Sequence, residues 1–129
     1  MSSGPEEAFN QSVAASCALL IAFHGVMHEM IGPLLFPWAP ATFGFAVWHG
    51  MGFAVLIIGA LMFAATLRVA RFPVLPAALF LAILATAVIA YIEITHGQFH
   101  FFALSLGLSS ATCAVFYRRA EQLRNRPVG

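Results

Sequence analysis

Hydrophobic positions along this chain come in four long blocks, at residues 13–31, 41–67, 74–95 and 99–117, and the polar positions gather in the gaps between them. No block alternates apolar and polar residues as a half-buried strand does. Each is close to the roughly 20 residues that carry a helix across the hydrocarbon core of a bilayer. The pattern predicts an all-α integral membrane protein. It is read as a single domain over residues 1–129, an up-down bundle of four transmembrane helices.

The gaps set how the helices follow one another. Residues 32–40 hold Pro33, Pro37 and Pro40 and predict a helix-breaking connection. Its apolar side chains suit the membrane interface, with Trp38 and Trp48 as belt or packing residues. The last gap is His96-Gly97-Gln98. A turn this short makes the third and fourth helices antiparallel neighbours, with Gly97 as a helix C-terminal cap. Small residues recur four apart at Ala14, Ala18 and Ala22, at Ala78, Ala82, Thr86 and Ala90, and at Ser105/Ser109 and Gly107/Ala111. They predict close helix contacts, because small side chains let backbones approach where lipid supplies no hydrophobic drive.

Composition agrees with lipid as the solvent. Hydrophobic residues make up 61% of the chain and charged residues 9%, against about 25% charged in a soluble domain. Every basic residue is an arginine. Arg68 and Arg71 lie in the second gap, and Arg118, Arg119, Arg124 and Arg126 follow the fourth block. By the positive-inside rule that side is cytoplasmic, so both termini are expected in the cytoplasm of a multi-pass protein of the cell (inner) membrane. The first ten residues carry Glu6 and Glu7 and no basic residue, which predicts a retained first helix rather than a cleaved signal. A net charge of +1 gives no basic patch for nucleic acid. Cys17 and Cys113, both inside apolar blocks, read as packing residues.

The chemistry-bearing residues change the picture most. In this topology His24, His28, His49, His96 and His100 all fall at the end of the bundle opposite the arginines, together with Glu29 and Glu93. Ionisable residues in lipid are expected to face the bundle interior. His24-x-x-x-His28 sets two imidazoles one helical turn apart, as in many transition-metal sites. Glu93-x-x-His96 is the pair that di-metal carboxylate bundles use twice; here it occurs once, so one chain cannot complete such a site. His24, His28, His49, Glu93 and His96 are the candidate ligands for Zn, Fe or Cu. Glu29 and Glu93 are the candidate acid/base groups. Met27, Met30 and Met51 lie at the same end, but Met27 and Met30 point away from the histidine face of the first helix and Met51 points away from His49. For His100 a structural hydrogen-bonding role is the simpler expectation. The chain contains no Asp and no glycine-rich phosphate loop.

Three functions stay open on this basis, and with them whether the chain is an enzyme. One is a metal site whose bound water acts on a lipophilic substrate. Another is haem b held between His24 and His49, or their neighbours His28 and His96, exchanging electrons with a quinone. The third is a non-catalytic accessory, carrier or assembly subunit, in a homo-oligomer or a larger membrane complex, whose histidines make hydrogen bonds.

Overall fold

The structure, a computed structural model, describes residues 4–67, 74–97 and 101–127. Arg68, Arg71 and His100 lie outside them. Four long helices and two short ones account for nearly all of the described chain: α1 (Pro5–Met30), α2 (Gly32–Leu35), α3 (Ala39–Phe43), α4 (Phe45–Thr66), α5 (Val74–His96) and α6 (Phe102–Arg124).

The long helices close a ring. α1 packs on α4 and α6, and α5 packs on the same two. Side-chain bonds fix their directions. Gln11 near the start of α1 donates to the Thr66 carbonyl at the end of α4. His28 near the end of α1 meets the Trp48 carbonyl near the start of α4. Glu6 and Glu7 pair with Arg119 and Arg124 at the end of α6. Each neighbour of α1 is therefore antiparallel to it.

α1, α4 and α5 (over Pro76–His96) are long and apolar enough to cross a membrane, which makes the chain a multi-pass helical membrane protein. α6 is the exception. Ser105, Ser109, Ser110 and Thr112 interrupt its apolar stretch, and its last turns carry Arg118, Arg119, Glu121 and Arg124.

Helix ends depart from the apolar blocks where backbone geometry overrides side-chain polarity. α1 begins at Pro5, with the proline in its first turn and Glu6 and Glu7 favourably placed at the positive end of the helix dipole. It then runs through Asn10, Gln11 and Ser12. The helix-breaking connection at residues 32–40 is instead two short helices, each with proline in its first turn, the position where a missing N–H costs nothing. The second long helix starts at Phe45 rather than near Ala41, because Gly44 takes φ 82°.

Contacts along α1 and α4 are the closest. A Cβ on Gly25 would stand 2.6 Å from both the Gly52 carbonyl oxygen and the Leu56 nitrogen, and one on Gly59 would stand 2.6 Å from the Ala22 Cα. Backbone meets backbone at both levels, as the small-residue rows predict. Ala14, Ala18, Ala78 and Ala82 are buried. α6 differs from expectation: it buries Ala103, Leu106, Ser110 and Cys113 rather than the Ser105 or Ala111 rows. The core of the ring is Ile21, Met62, Leu106 and Cys113 with these alanines. α2 and α3 fold over one end through Phe36, Ala39 and Trp48.

Candidate ligand-binding site

The end capped by α2 and α3 holds His24, His28, Glu29, His49, Glu93 and His96, and each makes its own contact. His24 lies between Leu20 and α6: Nδ1 is 2.6 Å from the Leu20 carbonyl and Nε2 is 2.7 Å from Ser105 Oγ. A carbonyl only accepts, so Nδ1 donates and the neutral ring takes the serine hydroxyl proton at Nε2. His28 turns toward α4 instead. Its Nε2 donates to the Trp48 carbonyl at 2.9 Å, and its ring stacks on the Trp48 indole with centroids 4.0 Å apart. The two imidazoles spaced one turn apart thus lean to opposite neighbours of α1, because that helix sits between α4 and α6.

Glu29 and His49 do meet. Nδ1 of His49 donates to Glu29 Oε2. The pair is partly exposed, at 34% for His49 and 26% for Glu29, and Phe45 packs edge-on against the imidazole. Glu29 Oε1 is buried with no hydrogen-bond partner among the described residues. A Cβ on Gly52 would run into this oxygen and into the His28 ring, so only glycine leaves room for both.

The second expected pair also parts. Glu93, 5% exposed, accepts the Phe102 backbone N–H at 2.9 Å and so caps the start of α6. Its neighbour one turn on, His96, stacks on Trp38 at 3.6 Å between centroids and directs Nδ1 at the Ile92 carbonyl.

The residues expected as metal ligands thus share one end of the bundle without converging. Among the described residues no three His, Cys, Asp or Glu side chains are grouped closely enough to hold a metal ion. For haem, both ring nitrogens of His24 are already engaged by protein oxygens.

What the end of the bundle does form is a partly open cavity of about 40 Å³. His24, His28, Trp48 and Glu93 supply its polar groups, and Phe36, Met51, Ile89 and Phe102 are among its apolar walls. It adjoins a second hollow of about 250 Å³ between α4 and α5, with which it shares His28, Met51, Val55 and Ile89. That hollow continues past Leu81, Leu84 and Val88, which are 42%, 52% and 41% exposed on the outer face of α5.

Trp48 is the residue that sequence reasoning assigned to packing. It is 3% exposed, clamped between the His28 ring on one side and Gly32 on the other, where a Cβ would come within 2.7 Å of the indole. Its Nε1–H has no hydrogen-bond partner among the described residues. A buried donor left unpaired costs about 1–3 kcal/mol, so native structures rarely keep one. Met51, expected to point away from His49, lines the cavity with His28. The sequence signal for both was the row Trp48–Gly52, a large ring one turn from a glycine, directly across from Gly25 and His28.

Comparisons with protein-family models, curated proteins and solved structures return no match for this chain.

Proposed function

We propose that the chain is a four-span protein of the cell membrane that binds a lipophilic small molecule, its polar head in the cavity beside Trp48 and its apolar body in the α4–α5 cleft. The observation that carries this is a cavity with His24, His28, Trp48 and Glu93 in its lining that adjoins an apolar hollow open on the outer face of α5. Small-molecule sites combine mostly apolar walls with a few polar groups in this way. In this reading α6 is the fourth span. Support comes from its packing along both α1 and α5 and from the inward placement of Ser110, whose hydroxyl bonds back to the Leu106 carbonyl. Both termini lie on the arginine side, the cytoplasm.

Binding is favoured over catalysis. The acid–base pair Glu29–His49 is partly exposed, at 26% and 34%, and is not among the groups that line the cavity. The role is that of a carrier or of a subunit that holds a lipophile for a larger membrane complex.

A photoactivatable alkyl probe with a polar head tests the reading. In lipid nanodiscs, adducts are expected on Met51, Ala54, Leu84 and Val88, and excess unlabelled compound should remove them. Labelling spread evenly over every lipid-facing helix surface, and insensitive to competitor, would overturn it.

A further inference from the structure

We propose that Ser105 and His24 are a nucleophile and its base, and that they hydrolyse esters of long-chain carboxylic acids on the α1–α6 side of the bundle. This goes beyond the binding reading, which concerns the cavity beside Trp48; the two linings share His24 and Phe102. The pair itself is the first observation. Ser12, Ser16 and Ser110 each return the hydroxyl to a carbonyl one turn back in their own helix, as serines in helices commonly do. Ser105 turns to another helix: its Oγ lies 2.7 Å from His24 Nε2. His24 Nδ1 lies 2.6 Å from the Leu20 carbonyl, which only accepts, so the neutral ring keeps its proton on Nδ1 and takes the serine hydrogen at Nε2. A Ser–His–Asp triad fixes the same tautomer with its carboxylate. This chain has no Asp, and a backbone carbonyl of α1 does the positioning.

The second observation is what the pair faces. Ser105 is exposed, and both side chains line a hollow of about 310 Å³. Leu20, Phe23, Met27, Phe101 and Phe102 make the rest of its wall, so the substrate that fits is apolar around its reacting carbonyl. Ser105 is the fourth residue of α6, about 5 Å from the helix start at the usual rise. Helical side chains lean toward the N-terminus, so the attacked carbonyl sits by the positive end of the helix dipole, which favours the charge that develops on its oxygen. In the first step Ser105 Oγ bonds to the ester carbon and its proton passes to His24 Nε2. The bond to the alcohol oxygen then breaks, and Nε2 gives that oxygen the proton. In the second step water loses a proton to Nε2 and attacks the acyl carbon. The bond to Oγ breaks, the proton returns to Ser105, and the carboxylic acid leaves. Ester and water thus become acid and alcohol, with no other reactant.

Two probes test the pair on the full chain in nanodiscs, with empty nanodiscs as the blank. Hexadecyl fluorophosphonate phosphonylates an activated serine and releases fluoride; the adduct is located by peptide mass spectrometry. It is expected on Ser105 and not on Ser109, one turn further along α6, nor on exposed Ser16, whose hydroxyl is given to a carbonyl. His24→Gln should slow labelling of Ser105 on the order of a hundredfold, the usual worth of a positioned base. With para-nitrophenyl dodecanoate, nitrophenolate release above the blank should be lost in Ser105→Ala. Absence of an adduct on Ser105 in the parent protein, or equal labelling of Ser105, Ser109 and Ser16, refutes the pair; this comparison holds even where a variant does not fold. Labelling of Ser105 that is as fast in a folded His24→Gln variant refutes the base. Nitrophenolate release that survives in Ser105→Ala refutes the hydrolase. None of these results touches the lipophile site, whose photolabelling is read on α4 and α5.

Discussion

At the scale of single residues, the glycines on the α1–α4 seam are the sharpest determinants. Gly25 and Gly52 face each other, yet their substitution should differ. A methyl at Gly25 meets the backbone of α4, 2.6 Å from the Gly52 oxygen and the Leu56 nitrogen, so the helices themselves must separate. Gly25→Ala is expected to lower stability by about 1–3 kcal/mol, the usual cost of overpacking, read as a drop in melting temperature in detergent with exposure of the buried Cys113 thiol as the reporter. A methyl at Gly52 meets the end of Glu29 and the edge of His28, which can swing away. Gly52→Ala should cost less in melting temperature while parting the Glu29–His49 and His28–Trp48 contacts, visible as shifted imidazole signals in NMR. If the two variants melt alike, the distinction between backbone and side-chain contact is wrong. The Glu29–His49 contact has its own test. Glu29 and His49 are about a quarter to a third exposed, so solvent screens part of their attraction, and a charge-assisted bond there is worth about 1 kcal/mol. A double-mutant cycle of Glu29→Gln and His49→Ala should return a coupling of about that size; zero coupling would mean the two side chains act independently.

At the scale of helices, the hydrophobic blocks located the long elements well, because burial in lipid demands long apolar runs. They misplaced ends wherever something other than apolarity decides. Polar Asn10, Gln11 and Ser12 belong to α1 since the helix only needs backbone bonds there, and Asn10 and Ser12 even return theirs to the Glu6 and Ala8 carbonyls. Pro33 and Pro40 start short helices instead of ending long ones. The site was legible to a different degree. Chain alternation was enough to collect His24, His28, His49 and Glu93 at one end, but spacing alone could not reveal which neighbour each side chain turns to. His24 chose Ser105 on α6 and His28 chose Trp48 on α4, a choice made by packing order around the ring. The role of α6 is where the element scale makes a prediction. If α6 spans the bilayer, a cysteine at exposed Ala8 and one at Pro127 should react with a membrane-impermeant thiol reagent from the cytoplasmic side. A cysteine at Thr42 should react from the other side, all in a background with Cys17 and Cys113 replaced by alanine. Labelling of Ala8→Cys and Pro127→Cys from opposite sides would remove α6 from the spans and the ring from the membrane.

For the whole molecule, the distribution of apolar surface decides how a ligand arrives. Large apolar side chains are exposed along every long helix, among them Leu19, Phe53, Phe80, Leu104 and Val115, so each long helix turns an apolar face outward. A lipophile is concentrated in the bilayer, not in water, and the α4–α5 hollow shares His28, Met51, Val55 and Ile89 with the polar cavity. The end of the bundle is the less favourable route, because Phe36, Ala39 and Trp48 pack over it. Blocking the hollow should therefore matter more than changing the cap. Ala54 lines the hollow and is exposed, so Ala54→Phe can fill it without forcing α4 from α5. The expected outcome is an unchanged melting temperature with at least tenfold slower or weaker labelling by the photoactivatable alkyl probe; Thr42→Ala, which removes only the hydroxyl bond from α3 to the Trp38 carbonyl just before it, should leave uptake as it was. The reverse result, with uptake sensitive to Thr42 and indifferent to Ala54, would place the route through the α2–α3 cap and make the hollow between α4 and α5 a packing defect facing the lipid.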